Sequence, residues 1–464
     1  VLRDEWGFDG IVVSDWGSVF EMVIHGYATD PAHAAVLALE AGVDIDMESR
    51  AYGHVPAAIA AGRIETALVD AAVRRVLTAK FALGLFDRPY VDESLADRAL
   101  HSAEHVRIAR EVARDSIVLL ENKDQVLPLA ADGGQILVIG PLADSPADQM
   151  GSWIAAGARG DSVTPLVALR NHYGSRRAIH FVPGVAPEAT PDDSRLIDEA
   201  VSAAAAAEVV LLFVGERANM SGEARSRANL DLPGRQSELV ERLAAAARPL
   251  VLILQNGRPL AIPREVDHAT AVVEAWFGGS QAGPALVDIL TGAASPSGRL
   301  PMTFPRSAGQ VPLYHNAKSN GRPALSRYED IDNAPLFPFG HGLTYTTFAY
   351  GELRLDAPTI TRDGQTLARI TLTNTGLRSG TEIVQLYIRD LVGSTTRPVR
   401  ELRGYQRATL APSESRELVF PIGHEQLSLL DSTWRAVLEP GDFDVQIGPH
   451  AGAGPTVRLT VRSP

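Results

Sequence analysis

The stretch "IVVSDWGSV", residues 11 to 19, runs three β-branched apolar residues straight into Ser14, Asp15 and Trp16. Ile-Val-Val reads as a short buried strand, because β-branched side chains fit a pleated, half-buried surface. A carboxylate at the carboxyl end of such a strand is where barrels of alternating strands and helices carry their catalytic groups. The competing reading is structural: Ser14 or Asp15 caps the helix that follows. Trp16 favours a site. A large aromatic on a loop offers an apolar face to a sugar ring while its indole N–H stays available.

Outward from this stretch, "DPAHAAVLALEAG" (30–42) reads as a helix, with Asp30 as cap, Pro31 in the first turn and Gly42 past the end. "VDIDM" (43–47) is a second strand. A helix from Thr66 to Leu83 follows, with Val69, Val73, Val76 and Leu77 at helical spacing. This β-α-β-α order implies parallel strands covered by helices. Between residues 112 and 305 the strands change character. "QILVIG", "EVVLLFVG", "PLVLILQNG" and "ATAVVEAWF" are apolar throughout, and stretches such as "RQSELVERLAAAA" between them read as helices. Strands of that kind belong to a mainly parallel sheet buried on both faces. Residues 306–345 are rich in Pro, Gly, Asn and Ser and read as a linker. From 346 to 464, "ARITLTNTG", "EIVQLYIRD", "RELVFPI" and "DFDVQIG" are short strands between turn signals, the pattern of an all-β sandwich.

Composition narrows the function classes. The 464 residues carry a formal charge of −13, which repels nucleic-acid phosphates, so no nucleic-acid partner is expected. Cysteine is absent, which excludes disulfides, thiol catalysis and cysteine-ligated metals. The run "AAAAAEVVLLFVG" is interrupted by Glu208 and falls short of the roughly 18 apolar residues of a membrane span, so no membrane partner is expected. The histidines His25, His33 and His54 are scattered, and "HEQ" at 424 lacks a second histidine four residues on. No metal and no cofactor are expected.

Glycoside hydrolysis needs a second carboxyl group opposite the first. The loop "FVGERANMSGEARSRANLDLPG" (213–234) offers Glu216 and Glu223, and spacing alone does not separate them. The loop is itself unusual, since most strand–helix connections take about two to six residues. A weaker signal is "GGSQAG" (278–283), whose amides at the start of a helix suit a phosphate. It lacks the lysine-bearing phosphate-loop pattern, and a nucleotide-binding reading rests on it alone.

The motifs "EWGFDGIVVSDWGSV", "AGVDIDM", "RRVLTAKFALGLFDRPY", "RDSIVLLENKDQVLPL", "GPLADSPADQMGSW", "MSGEARSRANLDLPG", "SGRLPMTFP" and "PLFPFGHGLTYTTF" resemble, in this order, glycoside hydrolase family 3 of the bacterial β-glucosidase type. The resemblance covers nearly the whole chain. It implies the C-terminal part of a (β/α)8-type barrel over 1–92, an α/β sandwich over 112–305 and a fibronectin type III-like domain over 346–464. Asp15 then matches the catalytic nucleophile, Trp16 an aromatic of the sugar subsites, and Glu223 the general acid/base. Ser152 and Trp153 border the site. Arg225 and Arg227 are expected to face away from Glu223 or to bind other groups.

The implied activity is that of a retaining exo-acting β-glycosidase, first of all a β-glucosidase, acting on an oligosaccharide or glycoside. A β-xylosidase or exo-glucanase is the alternative within the family, and a non-catalytic sugar-binding or assembly module the alternative outside it. A barrel takes about 250 residues, whereas roughly 90 precede the sandwich here and supply what look like strands seven and eight. The expectation is therefore a longer protein, or a second chain that completes the barrel; a homodimer is a further candidate assembly. The family resemblance points to a periplasmic or secreted location, with the cytoplasm as alternative.

Overall fold

Every residue of Val209–Gly215 is buried, and so is every residue of Leu250–Gln255 beside it. Strands apolar at each position are stable only with both faces covered. In the computed structural model this pair lies inside a six-stranded sheet. The structure describes residues 1–464 apart from 49, 155–156, 158, 187–189, 247, 323–326 and 464, and apart from the side chains of Asp97 and Arg159. The chain divides into two compact units, Val1–His101 and Ser102–Pro464. Among the described residues no helix is long and apolar enough to cross a membrane.

The sheet of the second unit is built from β1 (Val118–Asn122), β2 (Ile136–Ile139), β3 (Ile179–Val182), β4 (Val209–Gly215), β5 (Leu250–Gln255) and β6 (Ala271–Glu274), in the order β1-β6-β5-β4-β2-β3. All pairs are parallel except β1 with β6. Side chains of Asp193–Ala204 and Gln236–Ala244 join the core on one face. Those of Pro165–Tyr173 and Ala282–Leu290 join the core on the other. The strands and the helix over 236–244 expected from sequence are present, and β1 and β3 are additions. The chain steps from β2 outward to β3 and returns across the sheet to β4. The connections therefore diverge between β2 and β4, and ligands of open α/β sheets bind outside the carboxyl ends of strands at such a point.

The segment read as a linker is tied down. Phe304 and Phe337 are buried and bridged to each other, and Leu343 bridges to Leu119 of β1. Beyond it, Phe348–Tyr350, Arg354–Leu355, Thr366–Asn374 and Ser415–Ile422 form one antiparallel sheet. Gly380–Asp390, Glu401–Leu410, Gly441–Gly448 and Thr456–Arg462, with Thr359–Thr361 at the edge, form a second. Thr366–Asn374 alternates buried and half-buried residues, as a strand does when one face meets a core. The fold is thus a mixed α/β sheet followed by a β-sandwich.

In the first unit, Pro31–Glu40 is a helix capped by Asp30, whose Oδ1 accepts from His33 N at 2.8 Å. The helix Thr66–Ala82 runs within one residue of its expected end. The two segments expected as strands meet at a single parallel bridge, Val13 with Ile45. Buried Asp44 fastens them. Its Oδ2 accepts from Val12 N at 2.9 Å, and its carboxylate pairs with Arg3 and Arg75, each at 2.7 Å. Burial alone pushes this carboxyl up, but the Arg75 hydrogen bond, the Val12 amide and both guanidinium charges outweigh it and hold it below the usual range.

His341 shows how tightly the linker segment packs. Its Nε2–H donates to Leu120 O at 2.9 Å and its ring stacks on Phe337 at 5.1 Å. Burial, with the nearby His450 and Arg299, pushes it down to about 4 from 6.5, against the opposing pull of the Leu120 carbonyl. The unfolded chain binds this proton at higher pH than the folded chain does. Stability tied to His341 is therefore full above about 6.5 and is lost as pH falls through about 4. Melting temperature followed from pH 7 to 4 should fall less steeply for His341→Gln than for the unaltered protein. Parallel curves would remove His341 from the account.

Candidate active site

The loops after β2 and β4 carry the polar residues that the sequence singled out. Ser152 and Trp153 follow β2, Glu223 follows β4, and all three line one open depression of about 570 Å³ with Asp148, Arg217 and Arg225. Trp153 is 76% exposed, so its indole face is available to a ligand and not spent on packing. Two contacts lock the loops together. Asp148 Oδ1 accepts from Ala218 N at 3.0 Å, across 70 residues of sequence. Gly222 adopts φ +121° so close to the β2 loop that an added Cβ would lie 2.6 Å from Ser152 Oγ.

The two glutamates of the β4 loop have opposite surroundings. Glu216, one residue past β4, is 0% exposed. Gly215, at φ +136°, lets the chain pass so near Gln255 O that a Cβ there would lie 2.0 Å away, and the close approach tucks Glu216 into the interior. Its Oε1 accepts from Arg227 Nη1 at 2.7 Å and its Oε2 from Arg258 Nε at 3.1 Å. A buried carboxylate held between two guanidinium groups, one at each oxygen, has a structural part to play. Glu223 is exposed on the wall of the depression. Among the described residues neither Arg225 nor Arg227 forms a hydrogen bond or ion pair with it. Arg227 serves Glu216 and Asp231 O instead, and the Arg225 carbonyl accepts from Arg258.

Asp15 and Trp16 lie in the first unit, directly after the Val13–Ile45 bridge. The helix Ser18–Ile24 has Gly17 as its N-cap and no side-chain cap bond, so neither Ser14 nor Asp15 serves as that cap. Ser14 instead pins the neighbouring segment, its Oγ accepting from Met47 N at 2.9 Å. The Asp15 carboxylate is exposed, with Oδ1 accepting from Trp16 N at 2.7 Å, and Trp16 is 69% exposed. An exposed carboxylate fixed by its own backbone next to an exposed indole is an arrangement that packing does not explain.

Other candidates are weaker. The "GGSQAG" turn is used for packing: Gly283 N donates to Val163 O at 3.1 Å, and a Cβ on Gly283 would lie 2.4 Å from Thr164 O. An apolar groove of about 460 Å³ beside Met302, Val311 and Tyr314 is lined by no carboxylate. Sequence reasoning did not find Arg258 or Asp148. The one sequence signal for Arg258 is its position just past β5, at the same sheet end as Glu216.

The two environments make a thermodynamic contrast. Glu216→Ala strands two largely buried guanidinium groups and should destabilise the fold by about 3–5 kcal/mol. Glu223→Ala removes an exposed side chain and should change stability by less than about 0.5 kcal/mol. Urea unfolding of both variants decides it, and equal losses would contradict the assignment of the two roles.

Three regions match known families: residues 1–79 the glycosyl hydrolase family 3 N terminal domain, 117–345 the glycosyl hydrolase family 3 C-terminal domain, and 382–451 a fibronectin type III-like domain. Over 97% of the chain, 43% of residues are identical to a periplasmic beta-glucosidase of Salmonella typhimurium, covering 63% of that protein. A beta-xylosidase of Formosa agariphila is 36% identical over 100% of the chain and 66% of its own length. The crystal structure of a beta-glucosidase from Listeria innocua in complex with isofagomine superposes with a TM-score of 0.91 at 33% identity, over 100% of this chain and 65% of that one. The chain thus spans 63% to 66% of the length of these relatives. With the mixed α/β sheet, the β-sandwich and the ordered motifs, the chain belongs to glycosyl hydrolase family 3.

Proposed function

We propose that this chain provides the nucleophile and the general acid/base of a retaining, exo-acting β-glycosidase, a β-glucosidase in the first instance. The observation that carries the reading is the contrast in the β4 loop. Glu216 is consumed by Arg227 and Arg258, which leaves Glu223 as the carboxyl group free to face a substrate beside Trp153. Asp15 takes the nucleophile's part, as the exposed carboxylate next to Trp16.

In this mechanism Asp15 attacks the anomeric carbon while Glu223 gives its proton to the departing glycosidic oxygen. A covalent glycosyl ester forms and the aglycone leaves. Water, losing a proton to Glu223, then attacks the same carbon, and the sugar departs with its original configuration. Such chemistry requires the two carboxyl groups about 5–5.5 Å apart. Trp16 and Trp153 offer apolar faces to pyranose rings, and Ser152 a hydroxyl to the sugar's oxygens. The similarity to the Formosa agariphila beta-xylosidase supports xylose as the second reading of the glycone.

Hydrolysis of 4-nitrophenyl β-glucoside and β-xyloside, with product configuration followed by NMR, tests the proposal. The glucoside should be the better substrate, Asp15→Asn should abolish turnover, and Glu223→Gln should slow it by about 10²- to 10⁴-fold. Unaltered rates in either variant, or an inverted product, would overturn the assignment. Binding of glucose with no turnover in the unaltered protein would favour a non-catalytic module.

A further inference from the structure

The segment that carries Glu223 has an awkward backbone. Gly222 sits at φ +121° and Ala224 at φ +55°, the second a left-handed conformation that L side chains adopt at a cost. A turn closes locally, with Arg225 N donating to Gly222 O at 3.3 Å. Its ends are held from outside by Arg258, whose Nη2 donates to Met220 O and, at 2.7 Å, to Arg225 O. The two carbonyls flank the four residues, so one guanidinium holds both ends of the segment. The same guanidinium gives its Nε–H to Glu216 Oε2 at 3.1 Å. Arg258 is thereby fixed in direction by a buried anion that Arg227 holds from the other side at 2.7 Å.

Behind Arg258 the support continues. Asn256 Nδ2 donates to Arg258 O at 2.8 Å and to Glu274 Oε2 at 3.0 Å. Glu274 is itself fully buried. Between them, Gly257 lets the loop lie directly on the turn: a Cβ there would be 2.2 Å from Ser221 Oγ. The grip therefore rests on groups at the ends of β4, β5 and β6, the rigid part of the unit.

We propose that Arg258, oriented by Glu216, is a positioning residue that sets the direction of the Glu223 carboxyl by gripping the main chain on both sides of it. The inference rests on the reading of Glu223 as the acid/base. Arg258 does not line the depression that holds Glu223 and Trp153. It acts through the loop, and a carboxyl misplaced by about 1 Å costs on the order of 100-fold in rate. Lysine is a poor substitute, because one ammonium lacks the planar fork that serves a carboxylate and two carbonyls together.

The test compares Arg258→Lys, Gly257→Ala and Glu223→Gln in the full chain, by amide hydrogen exchange and by leaving-group dependence. Gly257→Ala pushes the loop from below and leaves the ion pairs intact, so it stands in if Arg258→Lys does not fold. In both loop variants exchange across residues 221–225 should quicken by about tenfold or more, with the β4 and β5 amides unchanged. With phenyl β-glucoside, which needs its leaving oxygen protonated, kcat/KM should fall about 10- to 100-fold, and with the 2,4-dinitrophenyl glycoside by less than about threefold. Glu223→Gln should give the same leaving-group signature with unchanged exchange. Loop variants with unaltered exchange and an unaltered ratio between the two substrates would overturn the inference while Glu223→Gln upholds the acid/base. A wild-type ratio in Glu223→Gln would overturn that reading, and the inference with it.

Discussion

One buried anion organises the candidate site. Glu216 leaves the end of β4 for a position with no solvent contact, which would be prohibitive for a lone carboxylate. Arg227 and Arg258 make it tolerable, and each also donates to main-chain carbonyls of the surrounding loop, Arg227 to Asp231 O and Arg258 to Met220 O and Arg225 O. A long loop that would otherwise be a free tether thus becomes a defined surface. Glu223 inherits its orientation from that surface without taking part in the ion pairs.

The sheet explains why the anion sits there. Parallel strands bring the loops after β2, β4, β5 and β6 to one end, and the chain's reversal between β2 and β4 opens a gap between two of them. Ser152 and Trp153 come from one side of the gap and Glu223 from the other. Asp148 stitches the sides by accepting from the Ala218 amide, and Gly222 lets them touch. The His341 ring and the Leu343 bridge tie the Pro- and Gly-rich segment to β1, at the sheet's far edge.

Much of this was legible in sequence, for physical reasons that can be named. Val209–Gly215 and Leu250–Gln255 announced themselves because a strand buried on both faces has no polar alternation. The helix at Pro31 was marked at both ends by Asp30 and Gly42. β3 was missed because "IHFV" is short and half-exposed, and β1 because its buried apolar run is short and passes at once into Glu121 and Asn122. Val13 and Ile45 lie where strands were expected, yet a single bridge joins them. Glu216 and Glu223 were indistinguishable in a loop read by spacing. What separates them is Arg258, 42 residues beyond Glu216, a contact that only the folded sheet creates. The family resemblance points to Glu223, and the structure shows Glu216 buried between two guanidinium groups.

The account turns on Asp15 as the group that becomes covalently attached to the sugar. Incubation with 2,4-dinitrophenyl 2-deoxy-2-fluoro-β-glucoside, followed by peptic digestion and mass spectrometry, reads that bond directly, because the fluorine slows breakdown of the ester. The account requires one fluoroglucosyl group per chain, on the peptide spanning residues 11–19, at Asp15. A label on any other carboxylate, or release of the dinitrophenol with an inverted sugar and no labelled peptide, would contradict it.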